Sequence, residues 1–276
     1  MDWLETHLDL SNPGLWIFAS FALAVVAANA AWVVLRLTRG HLRLGRLLRS
    51  SGVRAIVWLV VSLYLLLVPL LAWRYGAVSP YFLGLNELDW VGSITVGGLL
   101  TVLLAVLLLF GWLVYRHALP ADQAETPPTE DRLIHALRAP IDAALAQWHL
   151  AFYRAAAIGW LAEISALPAG LPGALRNGLQ AQPFYWGSWL GLGVLLVESA
   201  LNPHLWAVLS TPTQEERAWG RPEAILRSLA LAVATTALFI LTRNLWLCLA
   251  CQVIVETAIA AWLPLHRPQS GVPDSA

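Results

Sequence analysis

The sequence contains little charge, and neither sign is in excess. Of its 276 residues only 12% are charged, with 17 basic and 17 acidic side chains, whereas 58% are hydrophobic. Lysine is absent, so every basic residue is an arginine. A composition this poor in charge excludes an ordinary soluble domain, and a net charge of zero gives no basic surface for nucleic acid. The sequence therefore predicts an integral membrane protein without a nucleic-acid partner.

Cysteine is also scarce, which excludes a disulfide framework. The two cysteines, Cys248 and Cys251, form a C-x-x-C pattern within an apolar segment. A thiolate is disfavoured in apolar surroundings. We therefore interpret this pair as small packing residues and not as a redox centre.

Long hydrophobic runs are what the sequence has in abundance. A helix needs about 20 apolar residues to cross the hydrocarbon core of a bilayer. Seven such runs lie at 14–35, 55–73, 93–115, 149–168, 184–202, 223–242 and 244–264. The first run is preceded by an acidic segment without the basic region of a signal peptide, so we expect it to remain in the mature protein. The predicted fold is all-α, a polytopic transmembrane helical bundle of about seven spans.

The distribution of arginine predicts the orientation of these spans. Six arginines lie between the first two spans, at positions 36, 39, 43, 46, 49 and 54. Short loops rich in arginine tend to stay in the cytoplasm. This places the N-terminus outside and the C-terminus inside, in a multi-pass protein of the bacterial cytoplasmic membrane whose surroundings are membrane lipids.

One acidic, proline-rich segment, "LPADQAETPPTED" at 119–131, divides the chain. Before it, residues 1–118 contain three spans and the arginine-rich cytoplasmic loop. After it, residues 132–264 form a four-span bundle, and residues 265–276 form a flexible tail. Composition shifts of this kind mark linkers between packed units.

Polar residues at membrane depth are concentrated after this linker, and such residues have a functional role by default. They are His149, Arg154, Glu163, Glu198, His204, Gln252 and Glu256. We expect them to converge in the bundle, with Arg154 paired to Glu198 or to Glu256. Gly187 and Gly191, four residues apart, predict a close approach of the fifth span to a neighbouring helix.

Three segments in chain order, "HLAFYRAAAIGWL", "ALNPH" and "LTRNLWLCLACQVIVE", resemble the motifs of the CAAX-protease and bacteriocin-processing family of intramembrane proteases. Arg154 falls on the arginine of the first motif, and His204 falls on the histidine of the second. Asn244 belongs to an Asn-Leu-Trp lead-in like that of the third motif. The chain departs from the family at His149, where the first motif has a glutamate pair, and at Gln252 and Glu256, which replace histidine and asparagine.

The resemblance implies a protease fold over residues 132–264 with a degenerate catalytic site. In the family, a first-motif glutamate acts as the general base toward water, while histidines and the asparagine position this water and stabilise the oxyanion. In this chain no carboxylate occupies the position of the first-motif glutamate. We therefore predict a non-catalytic binding or scaffolding protein, without a cofactor, for a hydrophobic or lipidated peptide or another membrane protein.

Two other functions are compatible with the same residues. The chain is an active intramembrane endopeptidase if a relocated carboxylate, Glu198 or Glu256, works with His204 while Arg154, Gln252 and His149 complete the site. His149, His204, Glu198 and Glu256 are also four potential ligands for a divalent metal, since imidazole and carboxylate suit zinc or iron. No H-E-x-x-H pattern supports a metal, so the sequence predicts no metal site.

Overall fold

The fold is described from a computed structural model. It covers residues 9–38, 51–85, 90–118, 129–163, 173–203, 205–206 and 222–262. All regular elements in these ranges are helices. The all-α class predicted from the sequence is therefore confirmed for the described part of the chain.

Ten helices follow one another along the described ranges. They are α1 (Pro13–Thr38), α2 (Ser51–Arg74), α3 (Pro80–Leu83), α4 (Trp90–Ser93), α5 (Leu99–Ala118), α6 (Thr129–Ala162), α7 (Gly173–Ala181), α8 (Pro183–Ala200), α9 (Pro222–Thr242) and α10 (Leu245–Trp262). A π-helical turn at Ile94–Gly98 joins α4 to α5. Residues 149–162 of the predicted fourth span form the end of the long helix α6, which has Pro140 inside it.

Helix α6 lies at the centre of the molecule. It packs against α1, α2, α3, α8 and α10. Between Leu150 and Ile158 every residue is fully or almost fully buried, and four of these residues are alanines. Small side chains allow neighbouring backbones to approach closely, and a helix that is surrounded on all sides has no face left for solvent. Its polar residues must therefore find their partners within the protein.

Among the described residues, four helices are long and apolar enough to cross a membrane. They are Pro13–Val34, Ala55–Arg74, Ile94–Tyr115 and Ile225–Thr242, and Leu245–Ala260 is a shorter apolar helix. The predicted number of about seven spans is not confirmed. The predicted spans 149–168 and 184–202 fall on the end of α6 and on α8, where polar residues and glycines dilute the apolar sequence.

The close approach predicted at Gly187 and Gly191 is confirmed, and the neighbour is α6. A Cβ atom added at Gly187 would lie 2.7 Å from the Cα atom of Ile158, and one at Gly191 would lie 2.5 Å from the backbone nitrogen of Arg154. No side chain larger than hydrogen fits at these distances. The two glycines therefore set the separation between α6 and α8.

The turn between α9 and α10 is built by the residues of the Asn-Leu-Trp lead-in. The Asn244 side-chain oxygen accepts hydrogen bonds from the backbone N–H groups of Trp246 (2.9 Å) and Leu247 (3.3 Å). It thus caps the first turn of α10, whose N–H groups have no partner within the helix. Arg243 adopts a positive φ of 50°, so the chain reverses within two residues.

Replacing Gly191 with alanine tests the contact between α6 and α8. We expect Gly191→Ala to destabilise the protein by about 1–3 kcal/mol, because a methyl group forces the two backbones apart. Gly193→Ala is the matched control on the same helix, since a Cβ atom there meets no atom within 4 Å. Alanine favours helix over glycine, so the control should be neutral or more stable by about 0.5–1 kcal/mol. Denaturant titration of the purified variants measures both changes in the free energy of unfolding. Equal stabilities of the two variants would contradict the close contact between α6 and α8.

Candidate functional site

The first polar cluster is centred on α6. His149 and Tyr153 lie one turn apart on this helix and point toward α1, α2 and α8. The ring of His149 lies 4.7 Å from that of Tyr153 and 5.2 Å from that of Tyr64, centroid to centroid. His149 is 2% exposed and Tyr153 is fully buried. The helix thus carries an imidazole and a phenol into the protein interior.

Hydrogen bonds link four helices through this cluster. Ser20 Oγ lies 2.8 Å from the Tyr64 hydroxyl and 3.1 Å from the Tyr153 hydroxyl. Tyr64 donates to the Ser20 carbonyl at 3.0 Å, and Tyr153 donates to Glu198 Oε2 at 2.5 Å. A phenol has a single proton to donate. Because Tyr153 gives its proton to Glu198, Ser20 Oγ donates to Tyr153, and the single Tyr64 proton is shared between the Ser20 carbonyl and Ser20 Oγ. The chain of donors ends on the carboxylate.

His149 stands beside the same carboxylate without a hydrogen bond to it. Its Nε2 atom lies 3.9 Å from Glu198 Oε2. Both ring nitrogens are buried, and neither has a hydrogen-bond partner among the described residues. The Glu198 side chain is 17% exposed, more than the 2% of His149. The cluster therefore has a buried end at His149 and a more accessible end at Glu198.

Arg154 pairs with no carboxylate in the part of the chain that the structure describes, and Glu198 and Glu256 have other partners, so the predicted partnership of Arg154 with one of them is wrong. Its guanidinium is fully buried, donates from Nη1 to the Thr235 carbonyl at 3.2 Å, and lies 4.4 Å above the ring of Phe239. Its Nε and Nη2 atoms have no partner. The side chain thus lies against α9, while Gly191 of α8 lies against the Arg154 backbone.

Glu256 has a different partner, Arg227 at the start of α9. Arg227 Nη2 lies 3.0 Å from Glu256 Oε2, and Arg227 Nε donates to Oε1 at 3.1 Å. Two parallel contacts of this kind are the strong form of an arginine–carboxylate pair. The guanidinium also lies 5.2 Å from the ring of Trp112. The ion pair consequently joins α9 to α10 and touches α5.

The remaining predicted residues are distributed as follows. Gln252 is buried on α10, and its Oε1 atom has no hydrogen-bond partner. Glu163 is exposed just after the end of α6. His204 lies outside the described residues. Cys248 and Cys251 are free and fully buried, in agreement with a packing role.

The predicted convergence of the polar residues does not occur among the described residues. Glu198 and His149 belong to one cluster, Glu256 belongs to the ion pair with Arg227, and Arg154 has a separate environment. The sequence prediction missed Ser20, Tyr64, Tyr153 and Arg227. The sequence could have identified Tyr64, because a hydroxyl group within an apolar span needs a hydrogen-bond partner inside the protein.

A metal centre receives no support in the described ranges. No group of three or more histidine, cysteine, aspartate or glutamate side chains there is arranged to hold a metal ion. Of the four ligands considered from the sequence, Glu256 is engaged by Arg227, and His204 lies outside the described part. The cluster that does form offers one carboxylate and one imidazole.

Comparison with known proteins adds no relative. No protein-family model matches the chain, and no curated protein or solved structure matches it. The resemblance to the CAAX-protease family therefore stays a prediction based on the three sequence segments.

Removing the charge of Glu256 tests the structural role of its ion pair. We expect Glu256→Gln to lower the free energy of unfolding by about 1–3 kcal/mol, because Arg227 would then be left without its counter-charge. The cost should lie below that of a fully buried pair, since the two side chains are 20% and 15% exposed. Glu163→Gln serves as the control at an exposed site, with an expected change within about 0.5 kcal/mol. Equal behaviour of the two variants in denaturant titration would show that the pair contributes no stability.

Proposed function

We propose that the chain is a multi-pass protein of the bacterial cytoplasmic membrane with about seven spans. The support is a hydrophobic exterior that water would not tolerate over such an area. On α2, for example, Val57, Val60, Leu63 and Leu67 are all exposed. In a bilayer these side chains contact lipid, while polar groups face the bundle interior.

The direction of the helices supports the proposed topology. Trp58 of α2 donates a hydrogen bond to Asp142 of α6 at 2.7 Å, and Tyr64 farther along α2 contacts His149 farther along α6. The two helices therefore run parallel. Spans two and four of a regularly alternating chain run in the same direction, so the end of α6 serves as span four. Helices α8, α9 and α10 supply the other three C-terminal spans.

Within this bundle we propose a binding or scaffolding role. The observation that supports it best is the engagement of Glu256, whose two oxygens both contact Arg227. A general base must be able to approach and take a proton, and a carboxylate locked in a bidentate ion pair is poorly suited to that. Asn244 likewise serves as a helix cap. Positions that resemble catalytic motifs thus hold helices together.

The proposed partner is a hydrophobic or lipidated segment, or another membrane protein, held against the C-terminal helices. Such a partner fits the apolar composition of the surface that these helices present. Binding without cleavage is the function expected of a protease-like bundle that has lost its first-motif carboxylate. Because a fold alone does not determine function, the proposal rests on the contacts of Glu256 and Asn244.

A second candidate, an intramembrane endopeptidase, is favoured by one feature of the first cluster. Glu198 is not neutralised by an arginine, and its Oε2 atom lies near His149 Nε2 at 3.9 Å. A partly exposed carboxylate near an imidazole is a reasonable general base. In this alternative Glu198 activates the water, and Glu256 keeps a structural role.

Labelling from outside the cell tests the orientation. The native cysteines are fully buried, so a membrane-impermeant maleimide should react only with introduced ones. We expect Ser11→Cys to be labelled in intact cells, and Ser50→Cys to be labelled only after the membrane is permeabilised, because the arginine-rich loop lies inside. The reverse pattern would invert the topology.

Peptide binding and cleavage by the purified protein distinguish the two candidate functions. The probes are membrane peptides with a hydrophobic or prenylated end, presented in lipid nanodiscs. We expect saturable binding by fluorescence anisotropy and no cleavage by mass spectrometry. Glu198→Gln should leave binding unchanged within about twofold, which corresponds to about 0.4 kcal/mol.

The endopeptidase candidate makes the opposite prediction for the same samples. Cleavage should occur and should fall by about 10²–10⁴-fold in Glu198→Gln. The exposed carboxylate variant Glu163→Gln should retain full activity. Cleavage with this pattern would replace the scaffolding proposal, whereas neither binding nor cleavage of any probe would count against both.

A further inference from the structure

The cluster around His149 combines features that the scaffolding role does not use. A titratable imidazole is buried with both nitrogens unbonded, and a carboxylate lies 3.9 Å away. A buried polar group without a partner costs about 1–3 kcal/mol. Two such atoms on one side chain call for an explanation beyond packing, since an apolar residue would fill the same space at lower cost.

The surroundings of His149 limit what it can bind. Tyr64 of α2 packs against its ring, Phe152 and Tyr153 of α6 lie beside it, and Glu198 of α8 faces it. Helix α1 contributes Ser20, which bonds to both tyrosines. Of these neighbours Glu198 is the group that carries charge near neutral pH, because a tyrosine hydroxyl ordinarily ionises near pH 10.

Among the charged side chains of α6 that the structure describes near His149, none other faces the imidazole. Arg154 is directed to the Thr235 carbonyl on α9. Asp142, two turns earlier, accepts from Trp58. Arg138 lies over the ring of Trp58, 4.8 Å from its centroid. The charge that His149 responds to is therefore that of Glu198.

We propose that His149 and Glu198 form a proton-binding site within the helix bundle. A proton is the one ligand that needs no cavity, and both His149 nitrogens are fully enclosed by protein. Imidazole is the side chain whose charge changes most readily near neutral pH. The bound proton converts neutral His149 to imidazolium and creates an ion pair with the Glu198 carboxylate.

The geometry provides two states for this site. In the state described, Glu198 Oε2 accepts from Tyr153, and His149 Nε2 stands 3.9 Å away. An imidazolium–carboxylate hydrogen bond is about 2.7–2.9 Å long. Proton uptake therefore draws the two side chains together by about 1 Å. Glu198, with a 17% exposed side chain, is the entry point, and the buried His149 is the end point.

The hydroxyl chain stabilises the proton-free state. Ser20 donates to Tyr153, and Tyr153 donates to the Glu198 carboxylate. Hydrogen bonds to the charged form of a carboxyl group favour that form. The hydroxyl chain thus directs its hydrogen bonds to the carboxylate and leaves both His149 nitrogens without a partner among the described residues. This inference is independent of whether the protein cleaves peptides.

Infrared spectroscopy of the full-length protein in nanodiscs tests the proposal. On acidification a protonated-carboxyl C=O band should appear, and it should be missing in Glu198→Gln. In His149→Gln its midpoint pH should rise by about one to three units, because a cation within about 4–6 Å of a carboxylate suppresses its protonation by that amount. Glu256→Gln, at the carboxylate paired with Arg227, is the control and should leave the midpoint unchanged.

Nitrogen-15 NMR of histidine-labelled protein supplies the reciprocal measurement. The His149 signals are identified among the seven histidines by their loss in His149→Gln. In Glu198→Gln the midpoint of His149 should fall by the same number of units, since coupling between two binding sites is reciprocal. Tyr153→Phe keeps both titrating groups but removes the hydrogen bond to the Glu198 carboxylate. It should therefore raise the midpoint pH of the Glu198 band. This variant provides the test if another one fails to fold.

Two results would overturn the proposal. One is a Glu198 band whose midpoint is the same in the wild type and in His149→Gln. The other is a set of His149 signals that stay in one protonation state between pH 4 and pH 9, about two units or more on either side of the ordinary histidine midpoint. Matching, opposite shifts in the two variants would establish the site.

Discussion

The enclosure of α6 by its neighbours is the constraint on which the other features depend. A helix at the periphery can turn its polar residues toward water or toward lipid headgroups, but α6 contacts α1, α2, α3, α8 and α10. Every polar atom on its buried part must therefore be satisfied by another helix or remain unsatisfied at a cost. The tyrosine–serine chain, the guanidinium on Thr235 and the unbonded imidazole are three outcomes of that single condition.

The same constraint makes the N-terminal helices part of the site. Ser20 and Tyr64 come from the segment that the sequence assigned to a separate N-terminal unit, yet both are bonded within the cluster on α6. One hydrophobic core also combines Ala72 and Val78 with Ala156 and Leu245. A unit restricted to residues 132–264 would leave Tyr153 and His149 facing an open side.

Local features of the sequence predicted local features of the fold. The helical class follows from apolar runs, and the glycine pair follows from a fixed spacing of four residues, which places both on one face of a helix whatever that helix packs against. The boundaries of α9 and α10 also lie within two residues of the predicted spans. None of these predictions requires knowledge of a neighbour.

Partnerships between helices could not be predicted in the same way. Whether Glu256 meets Arg154 or Arg227 depends on the rotation and depth of α9 relative to α10, and both arginines are chemically suitable.

The predicted number of membrane spans was not confirmed for a related reason. Helix α6 carries polar and small residues because protein surrounds it, so its apolar content understates how deeply it is buried. Helix α8 carries its glycines where it meets α6, and these lower its apolar content in the same way. His149 was identified as a candidate, but its relation to Tyr64 was not, since 85 residues separate the two in sequence.

The central position of α6 also has a consequence for the order of assembly. Helices α1, α2 and α5 are synthesised first, and each is apolar enough to enter a bilayer on its own. Helix α6 follows them, is not among the four such helices, and carries a guanidinium and an imidazole. In a two-step view of membrane protein folding, insertion precedes association. Here α1 and α2, which contact α6, precede it in the chain and already carry Ser20 and Tyr64, the hydroxyl groups that later bond within the cluster on α6. The order of the helices along the chain thus places the partners of α6 before the polar helix that needs them.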